Sequence, residues 1–323
     1  MIVRSKRPAR AARYAFCAAV ALFSASAGAT DTGNAASIAP GVAPTATAPA
    51  TERPMSAAQL FDAAQRALAN KEYAAAFRWF QVAAQGGHAK AQCALGGMYL
   101  EGQGVAADDA KAFAWYRKAA EQGDAQGQTY LGLMYAHGRG VGADDEAAVK
   151  WFRLAAAQED ALGESNLGAM YMEGRGVDRN ETEAEHWLHL AAVQGEPLAQ
   201  NNLGLLFRDG RGVEQDDLEA AWWFRKSAEQ GNADAQTSLG VMYSEGRGVP
   251  PDGTEAMQWL RKGAEQGNAL AQYYLGVSLA EGRGAAQDLD AALKWLTRSA
   301  RQGFAQARDY LWANGNITVE SMN

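Results

Sequence analysis

The chain has 323 residues, of which 48% are hydrophobic and 21% charged, and its 37 acidic side chains outnumber 30 basic ones to give a net charge of −7. An acidic chain lacks the basic surface with which proteins bind nucleic acid or anionic lipid. Two cysteines in the whole sequence exclude a disulfide framework, so packing must hold the fold together.

The first predicted element is a secretory signal peptide over residues 1–29. Five basic residues lie between Arg4 and Arg13, an apolar run follows over 14–23, and Ala27-Gly28-Ala29 fits the usual cleavage pattern. A run of about 10 apolar residues is too short for a bilayer core, which needs about 20. We therefore expect cleavage before Thr30 and a periplasmic or secreted protein that has no membrane span.

Cleavage would leave 25 basic residues against 37 acidic ones, because five of the 30 basic residues precede Thr30, and the net charge would become −12. Cys93 would then be the single cysteine, which excludes an internal disulfide. Residues 30–54 hold four of the eight prolines among many alanines and threonines. This composition predicts a disordered linker.

From residue 55 onward the sequence repeats itself every 36 residues, and we call residues at this spacing a column. One column is tryptophan: Trp79, Trp115, Trp151, Trp187, Trp223, Trp259 and Trp295. A second column is Leu-Gly: Leu95, Leu131, Leu167, Leu203, Leu239 and Leu275, each followed by glycine. A period of this length is typical of one helix pair stacked on copies of itself.

We therefore predict an all-α fold, a right-handed α-solenoid of helix–turn–helix repeats. Its predicted parts are a degenerate capping repeat over 55–87, six full repeats over 88–303, and a capping helix with a tail over 304–323. Each tryptophan is expected to be buried in the stack, and each Leu-Gly glycine to permit a helix approach that a Cβ would block.

The first full repeat shows the expected helix boundaries. Apolar residues at the spacing of one helix face predict helix A over 88–101 and helix B over 109–122. Gly102 is placed to end helix A in the left-handed conformation. Residues able to cap the start of helix B form a column: Asp108, Asp144, Asn180, Asp216, Asp252 and Asp288.

A glycine column closes each helix B, but one repeat departs from it. Its members are Gly123, Gly195, Gly231, Gly267 and Gly303, and Glu159 stands where the sixth glycine would be. We expect the joint at Glu159 to be irregular.

The columns of residues 88–303 resemble the Sel-one-like repeat, a relative of the tetratricopeptide repeat. The family pattern A-x3-LG-x2-Y-x2-G-x-GV, followed by D, A, W and AA-x2-G, is matched in the first full repeat by Ala91, Leu95, Gly96, Tyr99, Gly102, Gly104, Val105, Ala112, Trp115, Ala119, Ala120 and Gly123. The resemblance implies an α-solenoid that binds proteins, often envelope enzymes or signalling receptors. Cysteine-rich secreted relatives are associated with β-lactam hydrolysis, but they carry a disulfide in each repeat that this chain lacks.

Nothing in the sequence predicts an enzyme, a cofactor or a metal site. The Gly102 and Gly138 loops match G-x-G-x-x-[GA], but they follow a helix, whereas a dinucleotide site follows a strand. His186 and His189 lack a third ligand at a suitable spacing. Cys93 is interpreted as a semi-buried small residue.

Acidic and basic columns flank the glycine loops. The acids at the end of helix A are Glu101, Glu173, Asp209, Glu245 and Glu281, and the basic residues two positions later are Arg139, Arg175, Arg211, Arg247 and Arg283. We interpret them as local pairs that stiffen the loops. The alternative is a charge ladder that docks a partner.

Ligand contacts are predicted on helix A, which lines the concave groove of related stacks. At ~100° per residue, positions equivalent to 93, 97 and 100 share one face. Asparagine and Arg208 would hydrogen-bond an extended peptide, and Met172 and the tyrosines would anchor apolar groups. The predicted partner-binding residues are Asn166, Met172, Asn201, Asn202, Arg208, Thr237, Tyr273 and Tyr274.

The favoured function is a non-catalytic, monomeric adaptor that binds envelope proteins. The alternative is a protein that binds peptidoglycan or another glycan, or regulates a cell-wall enzyme. An enzyme acting on cell-wall material or β-lactams is the third and least favoured hypothesis.

Overall fold

The computed structural model describes residues 55–314. The predicted signal peptide (1–29), linker (30–54) and end of the tail (315–323) lie outside the described residues. Within 55–314 there are fifteen α-helices and no β-strand, which confirms the all-α prediction. The helices are α1 (Ala57–Ala69), α2 (Tyr73–Gln85), α3 (Ala89–Glu101), α4 (Asp109–Glu121), α5 (Ala125–His137), α6 (Asp145–Ala156), α7 (Ala161–Glu173), α8 (Glu181–Val193), α9 (Pro197–Asp209), α10 (Asp217–Glu229), α11 (Ala233–Glu245), α12 (Gly253–Glu265), α13 (Ala269–Glu281), α14 (Leu289–Arg301) and α15 (Ala305–Ala313).

The chain forms two compact units, one ending at Ala143 and one beginning at Asp144. Unit 1 contains α1–α5 and unit 2 contains α6–α15. Odd-numbered helices are the predicted helices A and even-numbered ones the helices B. Within each unit every helix packs against its neighbours in sequence, for example α7 against α8 and α8 against α9. This is the stacked arrangement of an α-solenoid.

Caps place the helix boundaries, as the sequence predicted. The Asp108 carboxylate accepts a hydrogen bond of 3.0 Å from the backbone N–H of Lys111, and Asp144, Asn180, Asp216, Asp252 and Asp288 cap their own helices in the same way. Such a bond satisfies one of the orphan N–H groups of the first turn. Gly102 ends α3 with φ 69°, in the left-handed region.

The Leu-Gly glycines do permit a close helix approach, as expected. A Cβ on Gly204 would lie 2.8 Å from the Phe224 ring, and one on Gly240 would lie 2.7 Å from Leu260. The side chains that fill this space follow the tryptophans by one position and are at most 2% exposed: Tyr116, Leu188, Phe224, Leu260 and Leu296.

The expectation that every column tryptophan is buried was wrong. Trp223 and Trp259 are buried, but Trp79 is 38% exposed and the other four are half-buried. One residue further along a helix is ~100° further round, so the next position, not the tryptophan, faces the glycine. Several tryptophans instead lie under a cation, with the Lys118 ammonium 4.1 Å from the Trp115 ring centre.

A ladder of buried amides, which the sequence analysis missed, joins successive repeats. The Gln200 side chain donates to the Ala192 carbonyl at 3.1 Å and accepts from Gln230 Nε2 at 2.9 Å. This buried glutamine therefore donates a hydrogen bond to a carbonyl of the preceding repeat and accepts one from a glutamine near the end of the next helix B. The same position is glutamine and buried in four other repeats: Gln92, Gln128, Gln236 and Gln272. The one exception is Glu164, which is 2% exposed.

The arginine column pairs mainly with the preceding repeat, which corrects the predicted local pairing. Arg139 Nη2 lies 2.7 Å from the Asp109 carboxylate, and Arg247 Nη2 lies 2.8 Å from that of Asp217, 30 residues back in each case. The predicted local acid is more distant for Arg247, whose Nη1 lies 4.0 Å from Glu245, but Arg283 does pair locally, with Nη2 2.5 Å from Glu281. The same 30-residue pairing joins Arg175 to Asp145 and Arg211 to Glu181.

The joint at Glu159 keeps the turn of the other repeats. Glu159 has φ 61°, so a non-glycine residue adopts the left-handed conformation that glycine takes elsewhere. The preceding helix α6 has 12 residues, one fewer than α4 or α8. The irregularity is therefore one of local strain, since the turn itself is retained.

Candidate interaction surface

The sixth residues of the A helices of unit 2 vary in type, with asparagine, serine and tyrosine at five equivalent positions. All five are half-buried, so part of each side chain meets solvent. α7 contacts α9 and α11 contacts α13, so the faces of these helices adjoin. We call this column the A-face: Asn166, Asn202, Ser238, Tyr274 and Tyr310.

One end of the A-face is built from amides. Asn166 Nδ2 donates to the Leu162 carbonyl at 2.7 Å, which fixes the side chain against its own helix. The Asn202 amide oxygen lies 3.5 Å from Asn201 Nδ2. Side chains of this type can donate to and accept from the backbone of an extended peptide.

Arg208, a predicted hydrogen-bond donor, is already engaged. Its guanidinium forms two bonds with the neighbouring Asp209, Nε to Oδ1 at 2.7 Å and Nη2 to Oδ2 at 3.0 Å. This pairing holds the pKa of the Asp209 carboxyl below its usual value. The pair is nearly neutral as a unit, so a partner would meet little net charge here.

Asn201 and Thr237 lie between helices, where the sequence analysis had placed them on the open face. They are 6% and 2% exposed, and the Thr237 hydroxyl donates to the Ala233 carbonyl at 2.7 Å. Asn201 Oδ1 is buried without a hydrogen-bond partner. The helical wheel misled because it shows the face of one helix and omits the helix packed against it, here α12, whose Gly263 lies beside Thr237.

The remaining predicted residues are half-buried apolar groups. Met172 packs against the core cluster around Leu203, and Tyr273 against the cluster around Leu296. Tyr274 is on the A-face itself, with its ring centre 5.3 Å from that of Tyr273. The structure therefore brings Asn166, Asn202 and Tyr274 onto one column and leaves Met172 and Tyr273 at its side.

Tyr310 is a functional candidate that the sequence analysis did not name. It occupies the Tyr274 position one repeat later, in α15, and its ring centre lies 6.5 Å from that of Tyr273. The 36-residue spacing of Tyr274 and Tyr310 was the available signal. It was overlooked because α15 was regarded as a cap.

Other candidate groups are separated from one another. Among residues 55–314 no three His, Cys, Asp or Glu side chains are placed to hold a metal ion. His186 and His189 are exposed, and His189 Nδ1 lies 3.8 Å from Glu185. Cys93 is buried, as expected. Within the same range no helix is long and apolar enough to cross a bilayer.

Comparison with known proteins identifies the repeat. The family model described as the Sel1 repeat matches seven successive segments: 64–88, 89–124, 125–160, 161–196, 197–232, 233–268 and 269–304. The first match falls on the predicted capping repeat, which therefore keeps a recognisable part of the pattern. No match was found among the curated proteins.

Two solved structures are similar over most of the chain. The first, c5321 from uropathogenic Escherichia coli, is described as a protective antigen displaying an SLR fold; it is 38% identical over 83% of this chain, with a TM-score of 0.67, and this chain covers 58% of it. The second, a Sel1 repeat protein from Oxalobacter formigenes, is 32% identical over 74% of this chain, with a TM-score of 0.68, and is 96% covered.

Proposed function

We propose, from the premise that this chain belongs to the Sel1 repeat family, that it is a non-catalytic scaffold whose A-face binds an extended segment of a protein partner. One observation carries the proposal. From α7 to α13 the buried leucine and glycine columns repeat without change, whereas the A-face changes from Asn166 and Asn202 through Ser238 to Tyr274. Packing requires the first pattern, and recognition of a non-repeating ligand accounts for the second.

The dimensions suit an extended peptide. Packed helices lie about 8–10 Å apart, and an extended chain advances about 3.3 Å per residue. Three peptide residues would therefore pass each repeat, so the five A-face residues would accommodate about 12 to 15 residues. Half-buried tyrosine is a common anchor in such interfaces, because it contributes a large rigid surface and a hydroxyl group.

The acidic side chains of the stack support a non-catalytic role. Asp108 and Asp144 cap helices, while Asp109 and Asp217 bind arginines of the following repeat. Each of these carboxylates is thus explained by the fold, without a role in acid–base chemistry.

We place the protein in the periplasm or outside the cell. The basic and apolar residues of 1–29, followed by Ala27-Gly28-Ala29, support export. The relative from uropathogenic Escherichia coli is a protective antigen, a property that fits a protein encountered outside the cytoplasm. Envelope proteins are therefore the partners that we propose.

The test is capture from an envelope extract by the protein and by two variants. The Asn202→Ala, Tyr274→Ala double variant alters the A-face. Gln258→Ala, on the exposed side of α12, is the matched control. We expect one partner that is retained by the native protein and the control and lost by the double variant, and that binds again when purified.

Peptidoglycan is the second candidate ligand, because Tyr274 and Tyr310 present aromatic rings of the kind that stack on sugars, beside amides that bond hydroxyls. Sedimentation with purified sacculi, free of protein, tests it directly. Binding to sacculi that the Asn202→Ala, Tyr274→Ala variant loses would replace the protein partner with a glycan. A protein partner retained by that variant would contradict the A-face assignment.

A further inference from the structure

The two tyrosines at the end of the A-face are held in place by a third. The Tyr273 ring centre lies 5.3 Å from that of Tyr274 at an interplanar angle of 66°, and 6.5 Å from that of Tyr310 at 82°. Tyr273 is itself packed on Phe304, with ring centres 5.4 Å apart. Both A-face rings are therefore fixed before a ligand arrives, so little rotamer freedom is lost on binding.

The preceding repeat brings an acid toward these rings, because α11, which ends at Glu245, contacts α13, the helix that carries Tyr274. Burial raises the pKa of the Tyr274 hydroxyl, and the charge of Glu245 raises it further. Burial and then Glu281 raise the pKa of Tyr310 in the same way, while Arg283 opposes the effect. A carboxylate makes a phenol harder to ionise only when its field reaches the ring, so the field of one carboxylate acts on each ring.

The two carboxylates are not equally neutralised. Glu281 lies 2.5 Å from Arg283, which is 69% exposed and has no acid in the preceding repeat, because Gly253 stands at that position. Glu245 lies 4.0 Å from Arg247, whose short bonds of 2.8 and 3.2 Å go to Asp217. Glu245 is therefore less closely paired than Glu281, and its charge is the less opposed of the two.

We propose that Tyr274, Tyr310 and Glu245 together bind a lysine or arginine side chain of the partner segment. The inference rests on the proposed function, because it assigns the chemistry of one position in the ligand of the A-face. A cation is attracted by the faces of both rings and by the carboxylate, whereas an acidic side chain is repelled by all three. The same contact recurs within the chain, where the Lys262 ammonium lies 4.0 Å from the Trp259 ring centre.

The chain's own C-terminal residues do not supply this cation. Residues 315–323, which follow α15, contain no lysine or arginine. One repeat earlier, the counterpart of Glu245 is Asp209, which is paired with Arg208. The tyrosine pair distinguishes this end of the A-face, so the basic residue of the bound segment is expected toward α13 and α15.

The test uses random 12-residue peptides displayed on phage and selected on the protein. Peptides that bind are expected to be enriched in lysine or arginine at one position. The best peptide is then synthesised with that residue intact and replaced by norleucine, and the Kd of each is measured by fluorescence anisotropy. We expect norleucine to weaken binding about five- to tenfold.

Three variants assign the effect to the tyrosine pair. Tyr274→Leu should weaken binding of the basic peptide and remove the difference in Kd between the basic and the norleucine peptide. A double-mutant cycle requires this result for residues in contact. Glu245→Gln should reduce that difference, and Glu229→Gln, exposed at the end of α10, should leave it unchanged. Circular dichroism confirms that each variant is folded.

The possible failures are distinct. Peptides that bind the A-face without enrichment in basic residues would overturn the cation assignment and leave the proposed function standing. Enrichment in acidic residues would overturn it equally. If no peptide is selected, or if those selected bind the Asn202→Ala, Tyr274→Ala variant as tightly as the native protein, both proposals fail.

Discussion

The repeat containing α7 and the repeat containing α11 share one backbone design but differ in their buried polar groups. In α11 the Gln236 side chain donates to the Ala228 carbonyl at 3.1 Å and accepts from Gln266 at 2.8 Å. In α7 Glu164 takes this place and accepts from Gln194 at 2.8 Å. A carboxylate has no hydrogen with which to donate to the Ala156 carbonyl, the counterpart of Ala228. The α7 repeat therefore cannot form the counterpart of the bond from Gln236 to the Ala228 carbonyl when Glu164 is ionised.

Two further glutamates lie at the ends of the same repeat. Glu159 replaces glycine in the preceding turn, and Glu196 replaces asparagine or aspartate as the cap of α9. Glu196 accepts from the Ser165 hydroxyl at 3.0 Å, and burial raises the pKa of its carboxyl. The comparison shows that the frame of apolar and glycine columns tolerates acids in its polar layer. Their effect is on local stability at neutral pH, without a change of fold.

The largest effect should come from the frame that the two repeats share. Leu167 and Leu203 are both 0% exposed. We expect Leu167→Asp and Leu203→Asp each to lower the free energy of unfolding by more than about 4 kcal/mol, because each buries a charge and loses apolar contact. Urea unfolding followed by circular dichroism measures both. A much smaller loss at Leu167 would show that the α7 repeat does not share the packed frame.

The next change gives the α11 repeat the buried acid of the α7 repeat. Gln236→Glu should lower the free energy of unfolding by about 2 kcal/mol at neutral pH, because a 4% exposed amide that donates to Ala228 becomes a carboxylate. The loss should disappear in acid, where a protonated glutamate can donate as the amide does. Exposed Gln258→Glu on α12 is the control, with no expected change. An equal loss at both pH values would indicate a packing defect.

The reverse change should stabilise the irregular repeat. Burial raises the pKa of Glu164, and Asp160 and Glu159 raise it further, while the bond from Gln194 and the charge of His186 oppose them. Between the unfolded pKa of Glu164 and its raised folded pKa, the folded state thus binds more protons than the unfolded state. The contribution of Glu164 to stability therefore falls as pH rises through this range. Glu164→Gln should add about 1–2 kcal/mol at pH 7.

The pH dependence of that gain is its sharpest test. Below the unfolded pKa of glutamate, about 4.3, both states are protonated and Glu164→Gln should change nothing. Glu196 also has a raised pKa, so the variant should still lose some stability with rising pH. Unfolding curves at several pH values should show the two proteins converging in acid. A gain of constant size across the pH range would contradict the protonation argument.

These cases show how far the sequence predicts the structure. The caps at Asp108 and the left-handed Gly102 followed from the sequence because they satisfy local requirements of the backbone. The pair between Arg139 and Asp109 did not, because its 30-residue separation has meaning only once repeats are stacked. The glutamine ladder has the same 36-residue period as the leucines, but a polar column gives no sign of burial until its neighbours are known.

The candidate site was predicted less well than the fold, for the same reason. Asn166, Asn202 and Tyr274 lie on the A-face, whereas Asn201 and Thr237 are buried between packed helices. A helical wheel resolves the direction of a side chain within one helix. The exposure of that side chain depends on how the other helices pack against its own helix. The 36-residue period alone does not give that packing.

The smallest expected effect concerns the turn before α7. Glu159 adopts φ 61°, whereas glycine in the equivalent turns has φ from 85° to 95°. A left-handed conformation costs a non-glycine residue about 1 kcal/mol, part of which the greater freedom of glycine in the unfolded chain offsets. Glu159→Gly should therefore stabilise the protein by about 0.5 kcal/mol from strain alone.

A second contribution is electrostatic and can be separated by a double-mutant cycle. The charge of Glu159 raises the pKa of Glu164, so removing it should ease the ionisation of Glu164 at neutral pH. The gain from Glu159→Gly should consequently be smaller in the Glu164→Gln background, where no charge remains to be relieved. In the regular repeat, Gly231→Glu should cost the strain alone, because its neighbour Gln236 is neutral. Equal gains in both Glu164 backgrounds would assign the whole effect to the backbone, and Glu159 and Glu164 would then act independently.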